Sequence, residues 1–212
     1  MIKKVFLWMK GKIASRMSRL RTKKARKKFK KLEGTADFSI ISQNCIGGVM
    51  YHDLGLKFLS PTINAYMSAL DFIKFCENLE YYCSINAEDI LFVEERQYPV
   101  GFLGDIKIYF VHYKTKDEVI QKWNDRRQRI NFKKIRIVMT DRDGLDEGLL
   151  RRFLKLPYKK ILFSAKDYGV PEINYMPCFK KQICVGVLTA YYSFSGKRYY
   201  EKYFDYIKWL AE

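Results

Sequence analysis

A chain of 212 residues and 25.3 kDa suffices for one compact domain with at most an appendage, since single domains usually run to roughly 100–200 residues. Its composition, 48% hydrophobic, 16% aromatic and 30% charged, can fill a core, which excludes general disorder, collagen-like repeats and coiled-coil rods. The net charge of +17 is unevenly spread: residues 1–33 hold fourteen Lys or Arg and one acid, while the remainder holds 26 basic and 22 acidic residues.

That basic segment carries Val5, Met9, Ile13, Met17 and Leu20 at steps of four, four, four and three, the period of one helical face. Lys10, Lys12, Arg16, Arg19 and Lys23 occupy other faces, and Phe6, Leu7 and Trp8 lie near the start. The pattern predicts a basic amphipathic helix lying in the plane of an anionic membrane, where each basic residue adds ~1 kcal/mol. The division expected is an arm over 1–35 and a domain over 36–212, with residues 1–33 meeting the membrane. Binding of nucleic acid through the cluster 23–31 ranks behind, because it leaves Trp8 and the apolar stripe without a role. A solvated basic tail is the plain alternative. No apolar run approaches the ~20 residues that cross a bilayer, and the run 5–9 is shorter than the ~7–15-residue core of a secretory signal. The expected location is therefore cytoplasmic and peripheral on the inner membrane face. The five cysteines form no CxxC pair, so neither a zinc ribbon nor a disulfide framework is indicated.

From residue 37 onward, short β-branched runs alternate with helical stretches. Residues 38–42 (FSIIS) read as a strand ending in the loop 43–48, and 49–56 as a short helix. A helix of about five turns is expected over 65–82, with Leu70, Ile73, Leu79 and Tyr82 as apolar positions. Strands follow at 90–93 and 106–111, separated by a turn-rich loop at 98–101. Thr115 and Glu118 form a capping box that starts a helix to about residue 130. Then come a strand at 135–139, a helix at 145–154, strands at 160–163 and 185–192, and a terminal helix over 197–211. The alternation predicts an α/β fold, a three-layer domain with a largely parallel sheet, preceded by the basic amphipathic helix. Ligands gather at the carboxyl ends of such strands, which directs attention to loops 43–48, 112–115 and 140–144.

The first of these loops, Ser42-Gln43-Asn44-Cys45-Ile46-Gly47-Gly48, places a thiol, two amides and two glycines just past a strand. The glycines let backbone N–H groups approach a phosphate or a developing oxyanion, and a cysteine there can act as a nucleophile or stand as an inert residue behind a tight turn. The chain has two histidines, His52 and His112, so any histidine-dependent chemistry uses one of them. Each is equally readable as a hydrogen-bonded structural residue. Lys122, Arg126 and Arg129 form a basic stripe that would clamp a diphosphate if it faced the strand ends, and that otherwise is solvated. Asp141 and Asp143 flank Arg142 after the 135–139 strand; such a pair can hold Mg or Mn against a nucleotide diphosphate, or simply shape the turn before Gly144.

Several motifs in one order carry a resemblance: SQNCIGG at 42–48, His52, the SPTIN segment with Ser60, Thr62 and Asn64, YPVG at 98–101, His112-Tyr113, and Lys122-Trp123 followed by Arg126, Arg129 and Asn131. Together they resemble a bacterial family labelled exopolysaccharide or capsule biosynthesis protein, over residue 37 to the C-terminus. The Asn44-Cys45 pair also looks like the Asn-Cys signature of capsule acetyltransferases that bind coenzyme A; Ile46 stands where that group carries Gln. The resemblance implies polysaccharide biosynthesis by transfer of an acyl group from acyl-coenzyme A to a sugar hydroxyl of a saccharide or lipid-linked saccharide acceptor. Cys45, His52 and His112 would then be catalytic, and Asn44, Gly47, Gly48, Lys122, Arg126 and Arg129 would bind the cofactor. Ser60, Thr62 and Asn64 would bind substrate. The alternatives are a metal-dependent glycosyltransferase using a nucleotide sugar at Asp141 and Asp143, and a non-catalytic membrane-bound adaptor of the assembly machinery. No GxSxG elbow or HExxH helix supports hydrolase chemistry.

Overall fold

The computed structural model describes residues 2–32, 36–93 and 97–212, with side chains in the first helix from Lys12 onward. In chain order the elements are α1 (Ile2–Lys31), β1 (Ser39–Ser42), α2 (Ile46–Leu54), α3 (Ala69–Glu77), α4 (Leu79–Ser84), β2 (Leu91–Val93), β3 (Val100–Leu103) and β4 (Ile106–Tyr109). Then follow α5 (Lys116–Arg127), β5 (Ile135–Thr140), α6 (Glu147–Lys155), β6 (Lys159–Ser164), β7 (Ile173–Tyr175) and α7 (Tyr206–Ala211).

β1, β5, β6 and β7 form a parallel sheet in the order β1-β5-β6-β7. The central parts of β1, β5 and β6 are buried on both faces, which is why each holds an apolar run of two or three residues. Alternate side chains feed two cores: Ile41, Ile137, Met139 and Leu162 enter one, and Ile40, Val138, Ile161 and Phe163 the other. The α/β architecture with a mainly parallel sheet is thus the one expected. The first core is completed by α3, α4, α6 and an antiparallel sheet in the order β2-β3-β4, and the second by α1, α2 and α7.

Several boundaries differ from the sequence expectation. The helix expected over 65–82 starts at Ala69, where Ser68 caps it, and breaks at Asn78. The residues before it are drawn off into extended pairing, Tyr66 with Tyr109 and Met67 with Gln43. The expected loop 98–101 runs into β3 at Val100; Gly101 is required there because a Cβ would lie 2.5 Å from Ile90 Cγ2. Residues 185–192 form no strand: Val185 and Leu188 are single apolar anchors, and Tyr191 makes only an isolated bridge to Arg198. The expected terminal helix shrinks to a 3₁₀ turn at Tyr199–Glu201 and α7, which Asp205 caps. The three-residue β7 was not expected.

The helix α1 is not a free arm from Ala14 onward. Ala25 and Phe29 belong to the second core, and Phe29 packs edge-on against Phe38. Arg21 is buried in an ion pair with Asp53 of α2, and Arg26 donates to the carbonyls of His52 and Asp53 at the carboxyl end of α2. The expected boundary at 35 therefore does not mark where packing begins. The apolar stripe is a different face: Ile13, Met17 and Leu20 remain 44%, 38% and 52% exposed. Val5, Phe6, Leu7, Trp8 and Met9, also part of that expectation, lie outside the described side chains. Among the described residues no helix is long and apolar enough to cross a membrane.

Candidate functional site

Because β1 and β5 are parallel neighbours, with Ser42 beside Val138, the loops leaving their carboxyl ends start side by side. Hydrogen bonds tie those loops together. Gln43 Oε1 accepts from the backbone N–H and the hydroxyl of Thr140 at 3.0 and 2.9 Å, and Asn44 Nδ2 donates to Thr140 Oγ1 at 3.3 Å. Within the first loop, Ser42 Oγ donates to Asn44 O and accepts from Gly47 N, while Asn44 Oδ1 accepts from Ile46 N. These short-range bonds fix Cys45 as the N-cap of α2.

His112, in the turn after β4, reaches this point: its Nε2 lies 3.1 Å from Cys45 Sγ. The neighbouring Tyr113 holds the turn in place by donating from its hydroxyl to Ile63 O at 2.8 Å. Burial pushes the Cys45 thiol above its ordinary value, outweighing a backbone hydrogen bond that lowers it. The Cys45 thiol therefore keeps its proton at neutral pH. His112 Nε2 is within hydrogen-bond reach to take it, and the positive end of α2 favours the thiolate once formed.

Cys45 opens onto a recess of about 290 Å³ whose polar lining includes Asn44, Tyr66, Arg142, Asp143 and Thr189. Burial and the hydrogen-bonded Asp143 carboxylate push the Tyr66 hydroxyl up to about 12, so it remains a protonated donor at neutral pH. Asp143 is held in the left-handed region, with φ 64°, and its carbonyl accepts from Ala69 N at 2.9 Å. Arg142, half-buried, makes no hydrogen bond or ion pair among the described residues. The recess thus brings together a thiol, hydroxyl donors and a cation, while His112 touches the thiol without lining the recess.

Residues 15–211 match the model of a domain of unknown function, DUF1919. The chain belongs to this family. A protein of Haemophilus influenzae, itself described only as uncharacterized, is 38% identical over 175 residues, covering 81% of this chain and 83% of its own length. The DUF1919 match begins within α1, in keeping with the docking of that helix from Ala14 onward.

Of the residues expected at the site in this DUF1919 chain, Asn44, Cys45 and His112 come together. His52 does not: it lies near the other end of α2, its side chain 75% exposed and 3.6 Å from Asp53. Gly47 and Gly48 serve packing. A Cβ on Gly47 would sit 2.7 Å from Ser42 Cβ, and one on Gly48 would sit 3.2 Å from Ile63 Cγ2. With Ile46 N and Gly47 N already bonded to Asn44 and Ser42, the loop is stitched to itself rather than left open as a phosphate cradle.

Ser60 and Thr62 are buried, bonded to each other at 3.0 Å, and Thr62 Oγ1 accepts from Ser42 N. They terminate β1 and are not available to substrate. Asn64 adopts φ 66°, with its Oδ1 3.5 Å from where a Gly48 Cβ would be. The basic stripe of α5 faces elsewhere. Arg126 is buried over Phe58 and donates to Ile63 O and the Tyr113 hydroxyl, making it a strut beneath His112. Lys122 and Arg129, with Arg126 between them, line a separate recess shared with Lys57 and Asp125. Asp141 accepts from Ser164 Oγ, Ala165 N and Val185 N, whereas Asp143 turns to Tyr66. A cation at Asp141 would have to displace three donors. Among the described residues no group of three or more His, Cys, Asp or Glu is placed to hold a metal.

Sequence reasoning missed Tyr66, Arg142 and Thr189. Arg142 had a signal, since it stands between two aspartates at a strand end. Tyr66 had none, because its position depends on the pairing with Tyr109, 43 residues away in sequence.

Proposed function

We propose that this DUF1919 protein transfers an acyl group from an acyl thioester of the coenzyme A class to a hydroxyl of a surface-polysaccharide precursor. The observation that carries the reading is the 3.1 Å contact between His112 Nε2 and the Sγ of Cys45, a residue that lines a polar recess. In the first half-reaction Cys45 sulfur attacks the thioester carbonyl as its proton passes to His112. The donor's sulfur leaves and takes that proton, and the acyl group rests on Cys45 as a new thioester. In the second, a sugar hydroxyl attacks that thioester and gives its proton to His112. Collapse of the intermediate returns the proton to Cys45 and releases the sugar ester.

Positioned base catalysis of this kind contributes typically ~10²–10⁴-fold. With Ile46 N and Gly47 N taken by Asn44 and Ser42, α2 favours the oxyanion through its dipole alone, and Tyr66, Asp143 and Thr189 hold the acceptor's hydroxyls. The stripe Ile13, Met17 and Leu20, flanked by lysines and arginines, keeps the enzyme on an anionic membrane surface at its inner face, where lipid-linked acceptors are found. The test is transfer of labelled acetyl from acetyl-coenzyme A to a panel of saccharides by the purified full chain. Cys45→Ala and His112→Ala should each lose about 10²-fold or more in rate while keeping the wild-type fold. Undiminished transfer by both variants contradicts the reading.

A further inference from the structure

A groove of about 690 Å³ runs between α1 and the segment leading into α7. It arises because the chain first lies flat on the helix and then leaves it. At Gly196 a Cβ would sit 2.6 Å from Ser18 N, so no side chain fits between the two; further on, Phe204 turns away to pack edge-on against Phe163. Met17, Leu20 and Phe204 contribute apolar walls, and Lys24, Lys197 and Lys202 edge the opening.

The charge of the groove does not cancel internally. Its two carboxylates are already matched: Glu201 accepts from Arg21 at 2.7 Å, and Asp205 from Lys28 at 2.5 Å. Among the described residues Lys24, Lys197 and Lys202 have no carboxylate partner; the Lys202 ammonium sits over the Tyr203 and Tyr192 rings, contacts that leave its charge uncancelled, so three net positive charges lie around the groove. Free phosphate would satisfy the lysines and leave Met17 and Leu20 in water. An apolar chain alone would satisfy the walls and leave the three positive charges without an anion. Ile13 continues the same exposed stripe toward the start of α1, and the sequence extends it at the same period through Met9 and Val5. The groove therefore opens from a surface with membrane-binding chemistry.

We infer that the groove takes a single anionic membrane lipid, with one acyl chain along Met17, Leu20 and Phe204 and the headgroup phosphate on the three lysines. The inference rests on the membrane reading of α1 but not on the acyl-transfer reading of Cys45. Leu20 suits the test because it is exposed, so Leu20→Asp removes apolar wall without opening the core. The full chain is sedimented with phosphatidylcholine vesicles and with vesicles that also contain phosphatidylglycerol. Its melting temperature is followed against short-chain phosphatidylglycerol below the micelle concentration, inorganic phosphate and an acidic amphipathic peptide.

The wild type should pellet with the anionic vesicles only and be stabilised by the short-chain lipid but not by phosphate or peptide. Leu20→Asp, at an unchanged melting temperature without ligand, should bind both lipid forms about tenfold more weakly. Lys24→Glu should do the same. Vesicle binding that Leu20→Asp and Lys24→Glu leave intact overturns the groove and spares the membrane reading. Failure of the wild type to pellet with anionic vesicles overturns both. Equal stabilisation by inorganic phosphate, or stabilisation by the peptide alone, assigns the groove to another ligand and overturns the inference.

Discussion

Arg21 of α1 and Asp53 of α2 meet at 2.5 Å with both side chains almost entirely removed from water. Asp53 also accepts from Arg198 Nε and the Tyr200 hydroxyl, each at 3.2 Å, and Arg21 reaches on to Glu201. One carboxylate thus joins α1, α2 and the C-terminal segment. It sits on the helix whose other end carries Cys45, so the basic helix and the candidate site share a support.

Removing that carboxylate should cost more than removing either partner. Asp53→Ala leaves buried Arg21 with Glu201 alone and takes the carboxylate from half-buried Arg198 and the Tyr200 hydroxyl, and breaking a buried pair typically costs about 3–5 kcal/mol. Arg21→Met leaves Asp53 with two donors and should cost less. Urea denaturation of the two variants checks the order. A chain lacking residues 1–33 should be less stable still, since it also loses Ala25 and Phe29 from the second core.

The first turn of α2 has no room for a methyl group at Gly47, because Ser42 Cβ would lie 2.7 Å away. Gly47→Ala should destabilise by about 1–3 kcal/mol, the usual range for overpacking. The same strain would shift Cys45 from His112, so transferase activity should fall further than stability explains. Comparing the urea midpoint with turnover separates the two effects.

These packing facts show which parts of the molecule could be read from residue order. β1, β5 and β6 were legible because strands buried on both faces carry short apolar runs, as in Ile137, Val138 and Met139 of β5 and Ile161, Leu162 and Phe163 of β6. The cap at Thr115 was legible because it is local: its Oγ1 accepts from Glu118 N three residues away. The contact between Cys45 and His112 was not, although both residues stood out, because 67 positions and a change of sheet separate them. The helical period over 65–82 misled at its start, where the exposed edge of β4 recruits Tyr66 into pairing. The run 185–192 misled because β-branched composition cannot distinguish a strand from a loop anchored at two apolar points.

Arg126 should behave as a strut, not as a phosphate ligand. It holds Ile63 and Tyr113 from beneath the turn that carries His112. Arg126→Gln should lose about 1.5–3 kcal/mol of stability for the charged hydrogen bonds removed. Its turnover should fall, with little change in KM for the acyl donor. A raised KM with an unchanged melting temperature would return Arg126 to the donor's phosphates.

The elevated thiol of Cys45 sets a pH dependence. Folding favours its neutral form, so its contribution to stability is intact below the unfolded thiol value and drains away as pH rises through the higher folded value. Alkylation of Cys45 by iodoacetamide, followed by peptide mass spectrometry, should accordingly accelerate with a midpoint above the ordinary 9.0. A midpoint near neutrality would mean a preformed thiolate and imidazolium pair.

The central claim is that Cys45 carries the acyl group with help from His112, and intact-mass spectrometry after mixing with acetyl-coenzyme A addresses it most directly. The wild-type chain should gain one acetyl group, mapped to Cys45, within the lifetime of the reaction. Cys45→Ser should show no such thioester, and His112→Asn should acquire it roughly 10²–10⁴-fold more slowly. A wild-type chain that transfers acetyl to a saccharide without ever labelling Cys45, or a His112→Asn chain labelled at the wild-type rate, would contradict the account.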